Sequence, residues 1–211
     1  MKQKIVAIIF LLCFSSIGFS KSASRDLQNR LSSFKSMQAN FSQTVVSDSG
    51  KMLQKLTGEM AILRPGKFYW HVQKPMAQVI VTNGQQLWIY EPDLEQVTVR
   101  DLQESISQTP VYLLTHSHAY LKDNFNISYD KHYKDGNWFD LRPKQKSDLF
   151  GDIILGFYDD QLLQMQLDSP LGQHTIIRFT DVRINPKLDS IMFDSQAPAG
   201  VDVIDQTTGK S

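Results

Sequence analysis

Cysteine is almost missing from this chain: of 211 residues only Cys13 carries a thiol, and it sits in an apolar stretch near the amino terminus. Disulfides and thiolate metal sites are therefore excluded from the rest of the molecule. No excess of one charge is present either, since 22 Lys and Arg face 22 Asp and Glu. Without a basic cluster there is nothing to hold a phosphate backbone, which excludes nucleic acid as a partner. Gly-x-Ser-x-Gly elbows, Gly-x-Gly-x-x-Gly fingerprints and Walker loops do not occur, so neither a serine hydrolase nor a nucleotide cofactor has support. His116-x-His118 is the one pair with a metal-like look. Side chains two apart on a helix point in different directions and no third ligand stands at a diagnostic distance, so the pair reads as a polar loop. Asp159-Asp160 reads as a turn. No cofactor, no metal and no catalytic set are expected, and the chain is not expected to be an enzyme. Repeats and low-complexity segments are absent.

Long hydrophobic runs are also scarce. The longest, Ile5 to Phe14, follows Lys2 and Lys4 and precedes small residues at Ser20 and Ser22-Ala23-Ser24. That order is a charged, then apolar, then small-residue leader, and the run is too short to cross a bilayer as a helix. Residues 1–24 are expected to be a cleaved export signal, with Ser20 as the second-choice cleavage site, and 25–211 a single domain. Leu12 before Cys13 is too large for a lipoprotein processing site, so no lipid anchor is expected. Processing removes Lys2, Lys4 and Lys21 and no acid, leaving 19 basic against 22 acidic residues.

What the chain does have is alternation. Arg25 to Gln38 carries Leu27, Leu31, Phe34 and Met37 near helical spacing and reads as one amphipathic helix capped by Ser22 or Ser24. From Met37 the period changes to two, through Ala39 and Phe41, and returns after Asp48-Ser49-Gly50 with Leu56, Gly58, Met60 and Ile62. Asn83-Gly84 marks a hairpin between Gln78–Thr82 and Gln85–Tyr90, and a two-residue turn sets Ile80 opposite Leu87. Ile80, Leu87 and Ile89 then share one face, and Val79, Val81, Trp88 and Tyr90 the other. Both faces are apolar, so something must cover the second side. Thr109-Pro110 before Val111-Tyr112-Leu113-Leu114 predicts a short helix, with another near Ala119 to Asn124. Strands resume at Phe125–Tyr129, Asn137–Arg142, Gly151–Tyr158 and His174–Ile184, with Leu163, Met165 and Leu167 alternating and Asp135-Gly136 a second hairpin turn. The fold class is mainly β with some α: an incomplete antiparallel barrel of about ten to eleven strands.

Arg64-Pro65-Gly66-Lys67-Phe68-Tyr69-Trp70-His71 concentrates the chemistry. Proline and glycine turn the chain, and the following strand puts Phe68 and Trp70 on one face with Tyr69 and His71 on the other. Two readings fit: a core strand beside an exposed arginine, or an apolar cavity with an arginine on its rim.

The order Phe41-Ser42-Gln43, Gly58, Arg64-Pro65, Phe68, Trp70, Pro75, Asn83-Gly84, Leu87-Trp88-Ile89-Tyr90, Glu95-Gln96-Val97, Thr109-Pro110, Leu141-Arg142-Pro143-Lys144 and Pro198-Ala199-Gly200-Val201-Asp202-Val203 resembles the LolA family of lipoprotein carriers over essentially the whole mature chain. Each piece is weak alone; their order is specific. The resemblance implies a short helical lid over an apolar cavity. It also implies a monomeric periplasmic chaperone that takes acylated lipoproteins from an inner-membrane ABC exporter to an outer-membrane receptor. Arg64 corresponds to the family arginine that hydrogen-bonds to the lid, with carbonyls of the Thr109–Thr115 segment as acceptors. Phe68 corresponds to an aromatic at the cavity mouth and Leu31 to an apolar residue of the first helix. Trp70, Ile80, Leu87, Trp88, Ile89, Leu113 and Leu114 complete the expected binding set. A lipid- or lipoprotein-sensing module of the same fold, and an enzyme with an unrecognised site, are the alternative classes; no second domain for signalling is visible.

Overall fold

The computed structural model describes residues 22–102, 114–115, 118–145, 151–194 and 196–207, with the backbone alone at 118. The first helix, α1, spans Ala23–Ser32; Ser22 caps it by accepting from the Arg25 amide at 3.3 Å. Asp26 sits in its first turn, where a negative charge suits the exposed amides. The expected helix to Gln38 is too long. The Asn185 side-chain oxygen accepts from the Lys35 and Ser36 amides, and Ser36 already pairs with Leu63. Backbone groups engaged by a neighbouring strand cannot continue a helical ladder. Met37 is therefore buried from a strand, not from a helix face.

Twelve strands follow among the described residues: β1 (Ser36–Ser47), β2 (Met52–Leu63), β3 (Lys67–Lys74), β4 (Gln78–Thr82), β5 (Gln86–Glu91), β6 (Gln96–Asp101), β7 (Phe125–Tyr129), β8 (Asn137–Pro143), β9 (Ile153–Tyr158), β10 (Gln161–Ser169), β11 (Gln173–Ile184) and β12 (Asp202–Asp205). A second helix, α2, covers His118–Asn124, matching the short helix expected near Ala119 to Asn124. The strands form one open sheet in the order β12-β6-β5-β4-β3-β2-β1-β11-β10-β9-β8-β7. The count exceeds the expected ten to eleven, and the sheet is not wholly antiparallel: β12 pairs parallel to β6, Val203 opposite Val97. Four exposed residues returning from a long excursion carry too little pattern to declare either their edge or their direction.

Residues from β3–β5 and from β7–β9 lie on opposite sides of β1 in strand order, yet they share one buried cluster with Leu27 and Leu31 of α1. The sheet must curl around the helix to bring them together. Its inner face carries Phe41, Met60, Phe68, Trp70, Phe139 and Phe157. The outer face of β3–β5 is covered by a 3-10 turn, Ser190–Phe193, and the segment that follows. Phe193 is fully buried, while Ile191, Met192 and Pro198 close a cavity of about 290 Å³ over Tyr69, Val81, Trp88 and Tyr90. This is the cover that two apolar faces demand.

Three local readings change in detail. Thr82 pairs with Leu87 and Ile80 with Ile89, so the Asn83-Gly84 connection is four residues long. Asn83 Oδ1 accepts from the Gln85 and Gln86 amides, an Asx turn that stabilises the wider loop. The shift is by two, which leaves every side chain on its expected face. Tyr129 pairs with Phe139, so Asp135-Gly136 ends a longer connection instead of making a tight turn. In β10 a register irregularity between Leu162 and Gln164 turns Leu162 inward and leaves Leu163 exposed, which breaks the expected alternation through Leu163.

At one end of the sheet His174 joins two hairpins. Its Nδ1 meets Asp168 at 2.7 Å and its Nε2 meets Asp48 at 3.1 Å. Hydrogen bonding to Asp168, reinforced by the charge of Asp168 and by Asp48, raises its pKa above the ordinary value. A raised folded-state pKa contributes stability below the unfolded value of about 6.5, and loses it as pH rises through the folded value. His174→Gln is therefore expected to lower the melting temperature in mildly acidic buffer and to match wild type at alkaline pH. Thermal melts of both proteins across that range check it; a difference that persists unchanged at high pH contradicts the assignment.

Candidate functional site

The turn Arg64-Pro65-Gly66 joins β2 to β3 and carries Arg64 over the edge of the inner face. The guanidinium is largely removed from water, and burial lowers its pKa. Its Nη2 donates to the Leu114 carbonyl oxygen at 2.5 Å, and its carbon lies 4.5 Å from the centre of the Phe34 ring. Among the described residues the buried Nε proton has no hydrogen-bond partner and no carboxylate pairs with the cation. A desolvated charge is costly unless paired, and among the described residues the carbonyl and the ring are what hold this cation at the edge. Leu114 provides an acceptor of the kind expected from the Thr109–Thr115 segment; Leu113 lies outside the described residues.

Beneath this contact Phe68 is fully buried and stacks towards Trp70 at 6.0 Å, and Trp70 lies 3.5 Å from Phe41. Ile80, Leu87 and Ile89 continue the same surface through β4 and β5, and Leu31 reaches it from α1. Nine of the ten residues singled out in the sequence are therefore described. Eight of these, Arg64, Phe68, Trp70, Leu31, Ile80, Leu87, Ile89 and Leu114, meet on or over the inner face. Trp88 does not join them. It points outward into the cavity beneath Ile191 and Pro198, with its indole N–H buried and without a hydrogen-bond partner among the described residues. The strand period places it there, since Trp88 lies between Leu87 and Ile89.

Sequence reasoning passed over Arg30. It stands one turn from Asp26 on α1, and Asp26 is buried, an unusual position for a carboxylate. The spacing of four between the two was the only available signal. Among the described residues no group of three or more His, Cys, Asp or Glu is placed to hold a metal ion.

An open sheet curled around helices, with an apolar inner face and an arginine largely removed from water over its edge, defines the class: a mainly β protein built as an unclosed half-barrel. A family model described as "Outer membrane lipoprotein carrier protein LolA" matches residues 32–196. A protein of Hahella chejuensis named "Outer-membrane lipoprotein carrier protein" is 41% identical over 179 residues, covering 84% of this chain and 86% of its own length. One of the same name from Legionella pneumophila strain Corby is 36% identical over 199 residues, covering 94% and 98%. A structure of an uncharacterized conserved protein from Thermus thermophilus shares the fold, with a TM-score of 0.56 at 11% identity over 87% of this chain and 97% of that one. The chain belongs to the LolA family of outer membrane lipoprotein carrier proteins.

Proposed function

We propose that this protein is a periplasmic chaperone for acylated lipoproteins. It receives them from an ABC exporter of the inner membrane and hands them to a receptor in the outer membrane. Each CH₂ removed from water is worth about 0.8 kcal/mol, so acyl chains do not cross an aqueous space without cover. The observation that carries the reading is the Arg64–Leu114 contact: a charge-assisted donor that holds the edge of an apolar inner face closed. Entry of acyl chains parts the contact and returns the cation to water, which moderates affinity and lets the cargo leave. Arg64 is the latch; Phe68, Trp70, Leu31, Ile80, Leu87, Ile89 and Leu114 line the space that opens, while Trp88 supports the same strands from behind.

The test uses inner-membrane vesicles holding exporter and cargo, with ATP and purified carrier. Lipoprotein is expected in the soluble fraction as a complex with the carrier, and then in outer membranes on mixing. Cargo that remains in the vesicles overturns the proposal; cargo that binds and is never delivered points to the sensing module instead. Export itself rests on the amino-terminal leader. Because Ser22 caps α1 and Ala23 is buried, cleavage after Ser20 keeps the helix start intact, whereas cleavage after Ser24 removes it. We accordingly favour a leader that ends at Ser20 over one of 1–24; a mature mass starting at Arg25 contradicts this.

A further inference from the structure

The far half of the inner face, built by β7 to β10, has its own charged closure. Arg30 extends from α1 across the rings of Phe139 and Phe157, with its guanidinium carbon 6.0 and 5.7 Å from their centres. The rings meet edge-on at 5.8 Å, and both are fully or almost fully buried. At its tip Arg30 Nη1 donates to Asp160 Oδ1 in the turn between β9 and β10. At its root Nε lies 3.5 Å from Asp26, whose other oxygen accepts from the Tyr129 hydroxyl of β7 at 3.2 Å. The Arg30 and Asp26 side chains are 12% and 6% exposed, whereas Asp160 is 81% exposed. Two ions of α1 are thus held out of water against an aromatic floor, and the chain of contacts ends on a carboxylate that water reaches freely.

We propose that Arg30 is a second latch, which holds α1 over the β7–β10 half of the inner face. Its release from Asp160 uncovers a second acyl-chain compartment floored by Phe139 and Phe157. This rests on the carrier reading above and adds to it a compartment remote from Arg64. The physical case is a balance between two states. With α1 down, the guanidinium covers the two rings and is matched by Asp26 and Asp160, so its desolvation is offset. With α1 raised and nothing bound, both ions are hydrated but the rings face water, which is unfavourable. With α1 raised and an alkyl chain in place, the rings are covered again and the ions stay hydrated. The chain therefore takes the place of the guanidinium, and only an apolar ligand makes the raised state favourable. A planar guanidinium suits this post better than an ammonium, because it stacks on rings while still donating at its edge.

Asp160→Asn is the clean variant. The residue is exposed, and its positive φ of 63° is a conformation that asparagine tolerates well. The probe is a synthetic triacylated lipopeptide in detergent below its critical concentration. Asp160→Asn is expected to bind it about two- to fivefold more tightly than wild type, the range for a charge pair with one exposed partner. Amides of α1 in the empty protein are expected to exchange faster with deuterium by a similar factor. Arg30→Lys keeps the charge but loses the planar stack, and should move both readouts in the same direction. A role confined to stability would loosen α1 without tightening binding. Combined with Arg64→Leu, Asp160→Asn should tighten binding further, the two factors multiplying. Wild-type affinity and wild-type α1 exchange in Asp160→Asn overturn the second latch, as does a double variant no tighter than Arg64→Leu alone. If wild type itself fails to bind the lipopeptide, the carrier reading falls, and the latch is then decided by α1 exchange in the empty protein.

Discussion

Arg64→Leu is expected to take up acylated cargo and then hold it, slowing delivery to an outer-membrane receptor by roughly ten- to a hundredfold. Two effects act in the same direction. The empty closed state loses the Arg64–Leu114 hydrogen bond and the stacking on Phe34; a charge-assisted bond contributes about 1.5–3 kcal/mol. The loaded state loses nothing, because there the cation would have to lie hydrated beside alkyl chains, and leucine adds apolar surface instead. The balance between empty and loaded therefore moves towards loaded. Arg64→Lys keeps a charge but not the planar fork that reaches carbonyl and ring together, and should fall between the two. The measurement follows preloaded lipoprotein from each carrier into receptor-containing membranes. Delivery by Arg64→Leu at the wild-type rate removes the latch and leaves Arg64 as a structural cation.

The largest loss of stability is expected at a glycine. Gly58 on β2 lies opposite Phe41 of β1 and Val72 of β3, where the pairing with β3 slips by one residue. A Cβ there would stand 1.9 Å from the His71 carbonyl oxygen and 2.9 Å from the Phe41 ring. The carbonyl belongs to the backbone of a neighbouring strand, so it cannot swing aside as a flexible side chain would. Gly58→Val must part β2 from β3 or displace Phe41 from its stack on Trp70. Overpacking of this kind costs about 3 kcal/mol, a large share of the roughly 5–15 kcal/mol that holds a domain together. Urea melts should show a midpoint lower by about 1–2 M, and an unchanged midpoint would falsify the close approach. Because the same stack floors the proposed cavity, whatever protein still folds should also bind acyl chains poorly.

How much of this was legible before the structure can be judged residue by residue. Alternation located β1 to β5 and assigned their faces, since a period of two is a property of any strand whatever it pairs with. It put Phe68 and Trp70 together on one side, and it demanded a cover for Val79, Val81, Trp88 and Tyr90 without saying what the cover was. The turn residues marked where chains reverse, but not by how many residues. At Asn83-Gly84 a side-chain hydrogen bond widened the loop, and in β10 a bulge exchanged Leu162 for Leu163. Such slips depend on the partner strand, which no local pattern contains. The α1 boundary failed for the same reason: Asn185, 150 positions away, holds the Lys35 amide in an extended segment.

The sequence by itself determined the strand period, the apolar surface on both sides of one sheet, the absence of disulfides beyond Cys13, and the presence of one obligatory cation next to an aromatic strand. These are properties of residue type and spacing, and they hold in every compact state of the chain. Only the tertiary structure decided which face became the interior, that the carboxyl-terminal 3-10 turn covers the other while β12 extends the sheet edge, and that Arg64 meets Leu114 while Arg30 meets Asp160, 130 positions away. The reason is the curl of the sheet. Contacts across it join strands far apart in sequence, and a charged side chain is identical in sequence whether it faces water or an aromatic floor. Burial, and with it the cost and purpose of each arginine, exists only once the open sheet has curled around α1.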